Sequence, residues 1–182
     1  LNSEFFNKIK LNKASFIFSI NKKEGALTNI KGNLNGIPLN SGSLTYINDN
    51  GLDLTGNIDS MMEVDNKKLK SLLLTNKYSN FLNNEIFIKS NLKHKIGVKF
   101  NKTLKVENFN YSVKGDIKKS LIKFNKPYKI GVLEDKISQL EIKNSEFSFN
   151  YDLKKNNFIS LNGLYDLGTN KFKKINFKNY IN

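Results

Sequence analysis

The chain has 182 residues, 38% of them apolar and 12% aromatic, with a formal net charge of +14. The length suits one domain, and the apolar share is enough to bury a core or line a groove and too high for an intrinsically disordered chain. With no cysteine, disulfides and thiolate metal sites are excluded, and no stretch approaches the roughly 20 apolar residues of a transmembrane helix.

The first ten residues place Phe5, Phe6 and Ile9 at mixed spacing and give no assignment. From there the dominant period is two. Phe16, Phe18 and Ile20 alternate with Ile17 and Ser19, and Leu44, Tyr46, Leu52 and Leu54 alternate with polar neighbours. Between Asp65 and Asn76 the spacing turns helical, with Leu69, Leu72 and Leu73 on one face and Asp65 or Asn66 as N-cap. Tyr78, Phe81 and Leu82 extend that pattern.

Alternation then resumes through Ile96, Val98 and Phe100, then Phe109, Tyr111 and Val113, then Ile122 and Phe124, then Tyr128, Ile130 and Val132. The longest runs are Phe147, Phe149, Tyr151, Leu153 and Ile159, Leu161, Gly163, Tyr165, Leu167. Turn signals separate them: Lys22-Lys23-Glu24-Gly25, Asn35-Gly36, Asp49-Asn50-Gly51 and Lys154-Lys155-Asn156-Asn157. Pro38 and Pro127 suit loops or strand edges.

The expectation is a mainly β chain. About ten to thirteen short antiparallel strands form a meander, curved into a sheet, with one short helix near residues 65–76. Residues 1–182 read as a single β-rich domain or a segment of a larger protein. Periodicity leaves open whether the apolar face packs on a second sheet as a sandwich or curls into an open groove. An apolar-polar-Gly step recurs at Gly32, Gly56, Gly115 and Gly163. Glycine within a strand marks a bulge, a bend or a close approach.

All 30 basic residues are lysine, and Asn, Ile and Phe are abundant, as AT-rich codons favour. The absence of Arg argues against selected nucleic-acid readout, so the basic charge reads first as a solvated lysine surface. A lysine-rich strand surface with exposed aromatics stacking on bases is a third, weaker reading. The one histidine, His94, lies between Lys93 and Lys95 and reads as a surface strand residue whose protonation the lysines disfavour. Glu134-Asp135 falls in a turn and makes a poor acid/base pair. Asn101-Lys102-Thr103 matches a glycosylation sequon by pattern alone. No P-loop, dinucleotide fingerprint or nucleophile elbow occurs, so no catalytic residue, metal or cofactor is expected.

The apolar face is then the working surface. Its candidate lipid-lining residues are Phe16, Phe18, Ile20, Val98, Phe100, Tyr111, Val113, Phe147, Phe149, Tyr151 and Leu161.

The stretch Gly51-Leu52-Asp53-Leu54-Thr55-Gly56-Asn57-Ile58, followed by the leucine-rich segment Leu69–Leu74, resembles the AsmA-like proteins of Gram-negative bacteria and their TamB-like relatives. The strands Ile137–Ile142 and Phe147–Leu153, then Leu161-Asn162-Gly163, are similar to that family's late meander, and the likeness spans Ser15 to Phe177. The resemblance implies a periplasm-facing segment of an inner-membrane-anchored envelope protein. Its anchor would lie outside this chain, which begins at Leu1 and reads as a fragment or processed form. It also implies an open β-groove that binds or conducts phospholipid or another acyl-chain lipid between membranes, without catalysis. A structural or adhesive β-sandwich binding module is the alternative.

Overall fold

A computed structural model describes residues 3–5, 9–72, 85–129, 136–155 and 157–181. The strands are β1 (Ser3–Phe5), β2 (Ile9–Ile20), β3 (Glu24–Leu34), β4 (Ile37–Asn48), β5 (Leu52–Asp65), β6 (Glu85–Phe100), β7 (Val106–Lys129), β8 (Lys136–Asp152), β9 (Asn157–Asp166) and β10 (Lys173–Ile181). The helix α1 (Asn66–Leu72) lies between β5 and β6. The ten strands of the described residues form one antiparallel sheet in chain order. The first and last strands are not paired with each other, so the sheet is open, and it is curved. Two sheets packed as a sandwich are not found among the described residues.

The strands are longer than the alternation suggests. The runs at Phe109–Val113 and Ile122–Phe124 belong to one strand, β7, of 24 residues. Its register against β6 shifts between Lys89 and Ser90, so that Ser90 faces Ile117 and Ile88 faces Ser120. The added residue flips the parity of the sequence while keeping apolar side chains on one face. The same happens in β8, where the shift against β9 falls between Lys143 and Glu146, beside Asn144 at φ 48°. A parity change that reads as a turn is a bulge inside a continuous strand. Ile130, Val132 and Glu134-Asp135 lie outside the described residues.

Of the expected segment 65–76, Asn66–Leu72 form α1, and residues 73–76 lie outside the described residues. Asp65 caps α1, its carboxylate accepting the Lys68 N–H at 2.9 Å. The extension through Tyr78, Phe81 and Leu82 lies outside the described residues. α1 packs on β5 and β6, the strands that carry the most enclosed apolar side chains, Val64 and Ile86.

The hairpin connections follow the turn chemistry of the sequence. Asn35 and Gly36 both have positive φ, at 49° and 89°, as a two-residue hairpin turn requires. Asn and Asp side chains tie the loops: Asn21 accepts the Lys23 and Glu24 N–H groups, and Asn33 accepts that of Gly36. Asp166 accepts N–H bonds from Gly168, Thr169, Asn170 and Lys171, and the Thr169 hydroxyl. Enclosure alone would raise its pKa, but the Thr169, Gly168 and Lys171 bonds hold it below the usual carboxylate range.

A single layer encloses little: among the described residues the buried apolar side chains are Ala14, Val64, Ile86, Leu92, Val113 and Ile137. The chain exposes 12936 Å², against about 9,000 Å² expected for a compact globule of its mass.

Candidate functional site

Directly opposed residues in antiparallel strands share a face, so the registers sort the side chains. One row across the sheet runs Phe18, Leu27, Leu44, Gly56, Ile96, Tyr111, Tyr151. The next runs Gly42, Ile58, His94, Val113, Phe149, Ile159. A third runs Ser60, Leu92, Gly115, Phe147, Leu161, Phe177. On the opposite face a row reads Asp59, Lys93, Lys114, Ser148, Ser160, Lys178. One face is therefore apolar from β2 to β10, and the other is polar.

The polar face carries exposed ion pairs, Lys89–Glu63 at 3.0 Å and Lys123–Glu85 at 3.0 Å. It also carries the Thr45–Thr55 hydroxyl pair at 2.6 Å. Most strand lysines lie here, facing away from the apolar side.

All eleven residues expected to line a groove, from Phe16 to Leu161, fall on the apolar face. They do not all meet in one site. Phe16, Phe18 and Ile20 are exposed near the β2 edge. The aromatics of β7 and β8 form a cluster, with Tyr111 and Phe149 centroids 6.3 Å apart and Phe109 and Tyr151 centroids 6.0 Å apart. An apolar depression of 260 Å³ takes only Tyr111 from that set. Its other walls are Leu34, Ile37, Leu39, Gly56, Ile58, Ser60, Met62, His94 and Ile96. These residues span β3 to β7, four strand spacings or about 19 Å on a flat sheet. Enclosing a volume across that width requires the sheet to curl toward its apolar side.

Glycines on the apolar face allow the curl. A Cβ on Gly56 would lie 2.8 Å from Ile96 Cγ2 and 3.3 Å from Leu44 Cδ1, and one on Gly115 would overlap the Asn91 carbonyl oxygen. Gly32 and Gly163 share this face by register. The recurring glycine step is thus a feature of the concave side.

Sequence reasoning misplaced His94. Lys93 and Lys95 point to the polar face, and His94 sits half-buried in the depression. Its Nε2 lies 2.7 Å from Ser60 Oγ and its Nδ1 2.8 Å from the Tyr111 hydroxyl. Burial holds its pKa below the ordinary value, partly offset by the charge of Asp59. Burial pushes the Tyr111 phenol up. Neutral imidazole has one donor and one acceptor, and both are used. Whichever tautomer is present, the chain Ser60–His94–Tyr111 leaves one hydroxyl hydrogen free at one end. It is the polar spot of the depression, able to donate one hydrogen bond to a neutral oxygen acceptor.

A serine against a histidine is also the arrangement of an activated nucleophile. An oxyanion site would need free backbone N–H groups nearby, and Ser60 is paired on both sides, with Leu39 and Leu92. Among the described residues no cluster of His, Asp and Glu is arranged to hold a metal ion, and no helix is long and apolar enough to cross a membrane. The Asn101 side chain of the sequon accepts bonds from the Thr103 and Lys105 N–H groups and organises its own loop.

The chain matches no family model, no curated protein and no solved structure.

Proposed function

We propose that this chain is a segment of an AsmA-like cell-envelope protein whose apolar sheet face binds or conducts acyl-chain lipid, phospholipid in particular, between membranes. One observation carries the reading: a ten-stranded open sheet with an apolar face from β2 to β10 that no second layer of described residues covers. Contiguous apolar surface of that extent marks a ligand or partner surface in soluble proteins. The depression is apolar apart from the Ser60–His94–Tyr111 chain, the balance expected of a site for an apolar ligand with one polar anchor point.

The mechanism is passive. Each methylene leaving water contributes about 0.8 kcal/mol. Rows of similar side chains at each strand spacing let a chain shift along the face without a large local barrier. On this reading the segment faces the periplasm, is anchored in the inner membrane through a region outside this chain, and performs no chemistry. Gently purified protein should carry phospholipid detectable by native mass spectrometry. Protein that is repeatedly lipid-free, and that fails to take up a fluorescent phospholipid, would sink the proposal.

A further inference from the structure

In a meander, alternate connections lie at the same end of the sheet. The β2–β3, β4–β5, β6–β7 and β8–β9 loops therefore form one rim, successive loops being two strands, about 10 Å, apart. Backbone bonds tie neighbouring elements along this rim: Asn48 N–H donates to the Lys23 carbonyl at 2.7 Å, and Leu153 N–H to the Phe109 carbonyl at 3.1 Å. These loops carry six exposed lysines, Lys22, Lys23, Lys102, Lys105, Lys154 and Lys155, against Asp49 within them and Glu24 and Asp152 at their flanks. At the other end the described connections carry Lys67, Lys68 and Lys70, all within α1, and Lys171.

The same rim gathers exposed aliphatic side chains. Ile20, Ile47, Val106 and Leu153 are each more than half exposed, and Leu104 is 68% exposed. Leu104 is held there by its loop. It has φ 57°, unusual for a leucine, and donates its N–H to the Asn101 carbonyl at 2.9 Å. Asn101 Oδ1 also receives the Thr103 hydroxyl at 2.8 Å. A loop tied by hydrogen bonds to Asn101 that presents a leucine to solvent between two lysines suits a partner that is apolar inside and anionic outside.

We propose that this rim docks on the surface of an anionic lipid bilayer. Leu104 and Leu153 enter the acyl boundary and the six lysines contact headgroups. The exposed tips are aliphatic rather than aromatic and no Arg is present, which favours a bilayer over nucleic acid. Docking there would bring one end of the apolar face to the membrane.

Vesicle sedimentation of the full chain tests this, with vesicles of phosphatidylcholine alone and of phosphatidylcholine mixed with phosphatidylglycerol. Binding is expected only to the mixed vesicles, and largely lost near 1 M salt, where the screening length is about 3 Å. Lys102→Glu with Lys105→Glu should lower partitioning by at least roughly 25-fold, at about fivefold per lysine charge removed. Leu104→Ser should lower it by about tenfold with an unchanged circular dichroism spectrum. The proposal is overturned by absent binding, by equal binding to both vesicle types, or by binding insensitive to these variants. Retention on single-stranded DNA at higher salt than on vesicles would assign the rim to nucleic acid and overturn it as well. Loss of copurifying lipid would count against the apolar face as a carrier and leave this outcome unaffected.

Discussion

Replacing Gly115 by alanine tests the origin of the curl. Gly115 lies in β7 between Leu92 of β6 and Phe147 of β8. Alanine in place of glycine within a strand is ordinarily favourable by about 0.5–1 kcal/mol, because it restricts the unfolded chain. Here the added Cβ would overlap the Asn91 carbonyl oxygen and lie 3.0 Å from Leu92 Cα. Both are backbone atoms of a strand paired on each side, so no side chain can rotate away. Relief requires β6 and β7 to separate locally. Overpacking costs about 1–3 kcal/mol, and one or two weakened ladder bonds add about 1 kcal/mol each. After subtracting the alanine gain, the net loss is about 1–4.5 kcal/mol. For a chain of this size that lowers Tm by roughly 2–18 °C. Urea and thermal unfolding followed by circular dichroism read it directly. Gly56→Ala, which meets the Ile96 side chain rather than backbone, should lose less. A Gly115→Ala protein as stable as the parent, or more stable, would refute a close strand approach at this glycine.

Other consequences follow from the polar groups. His94 has a folded-state pKa below its unfolded value, so the unfolded chain binds the proton first and stability falls as pH drops through about 6.5. His94→Gln should flatten the unfolding free energy between pH 7 and pH 5.5, and an equal slope in the variant would remove that assignment. Tyr111→Phe should destabilise by about 1–3 kcal/mol by stranding a ring nitrogen, as measured by urea unfolding. The depressed pKa of Asp166 contributes stability that is present above about pH 4 and lost as pH falls through the folded value. The stability gap between the parent and Asp166→Asn should therefore be widest at neutral pH and close in acid. Glu63→Gln, which breaks the exposed pair with Lys89, should change stability by less than about 1 kcal/mol.

Much of the architecture was legible in the chain because a one-layer sheet has a simple code. A period of two at Phe147, Phe149 and Tyr151 places side chains on one face whatever the neighbouring strands do. Asn35-Gly36 dictates a hairpin through its backbone preferences alone. Asp65 announces the helix start by its capping chemistry. These signals are local, and a meander pairs each strand with its sequence neighbour, so local signals suffice for the order of the strands. That the face is apolar, and that the eleven aromatic and aliphatic candidates share it, also followed from alternation.

What only the tertiary structure decided is non-local. Register across five strands brings Leu34 and Tyr111 to one depression, though 77 positions separate them in the numbering. It turns His94 away from the lysines beside it and onto Ser60 and Tyr111. Bulges at Lys118 in β7 and Asn144 in β8 reverse the sequence parity within continuous strands, and no local pattern distinguishes that reversal from a turn. The sheet also stays a single open layer, with its edges unpaired and its apolar face without a second sheet among the described residues. Alternation specifies that a face is apolar, but what the face meets depends on how far the sheet curls. The close backbone approach at Gly115, where a Cβ would overlap the Asn91 carbonyl oxygen, is likewise a contact between strands that only the register brings about.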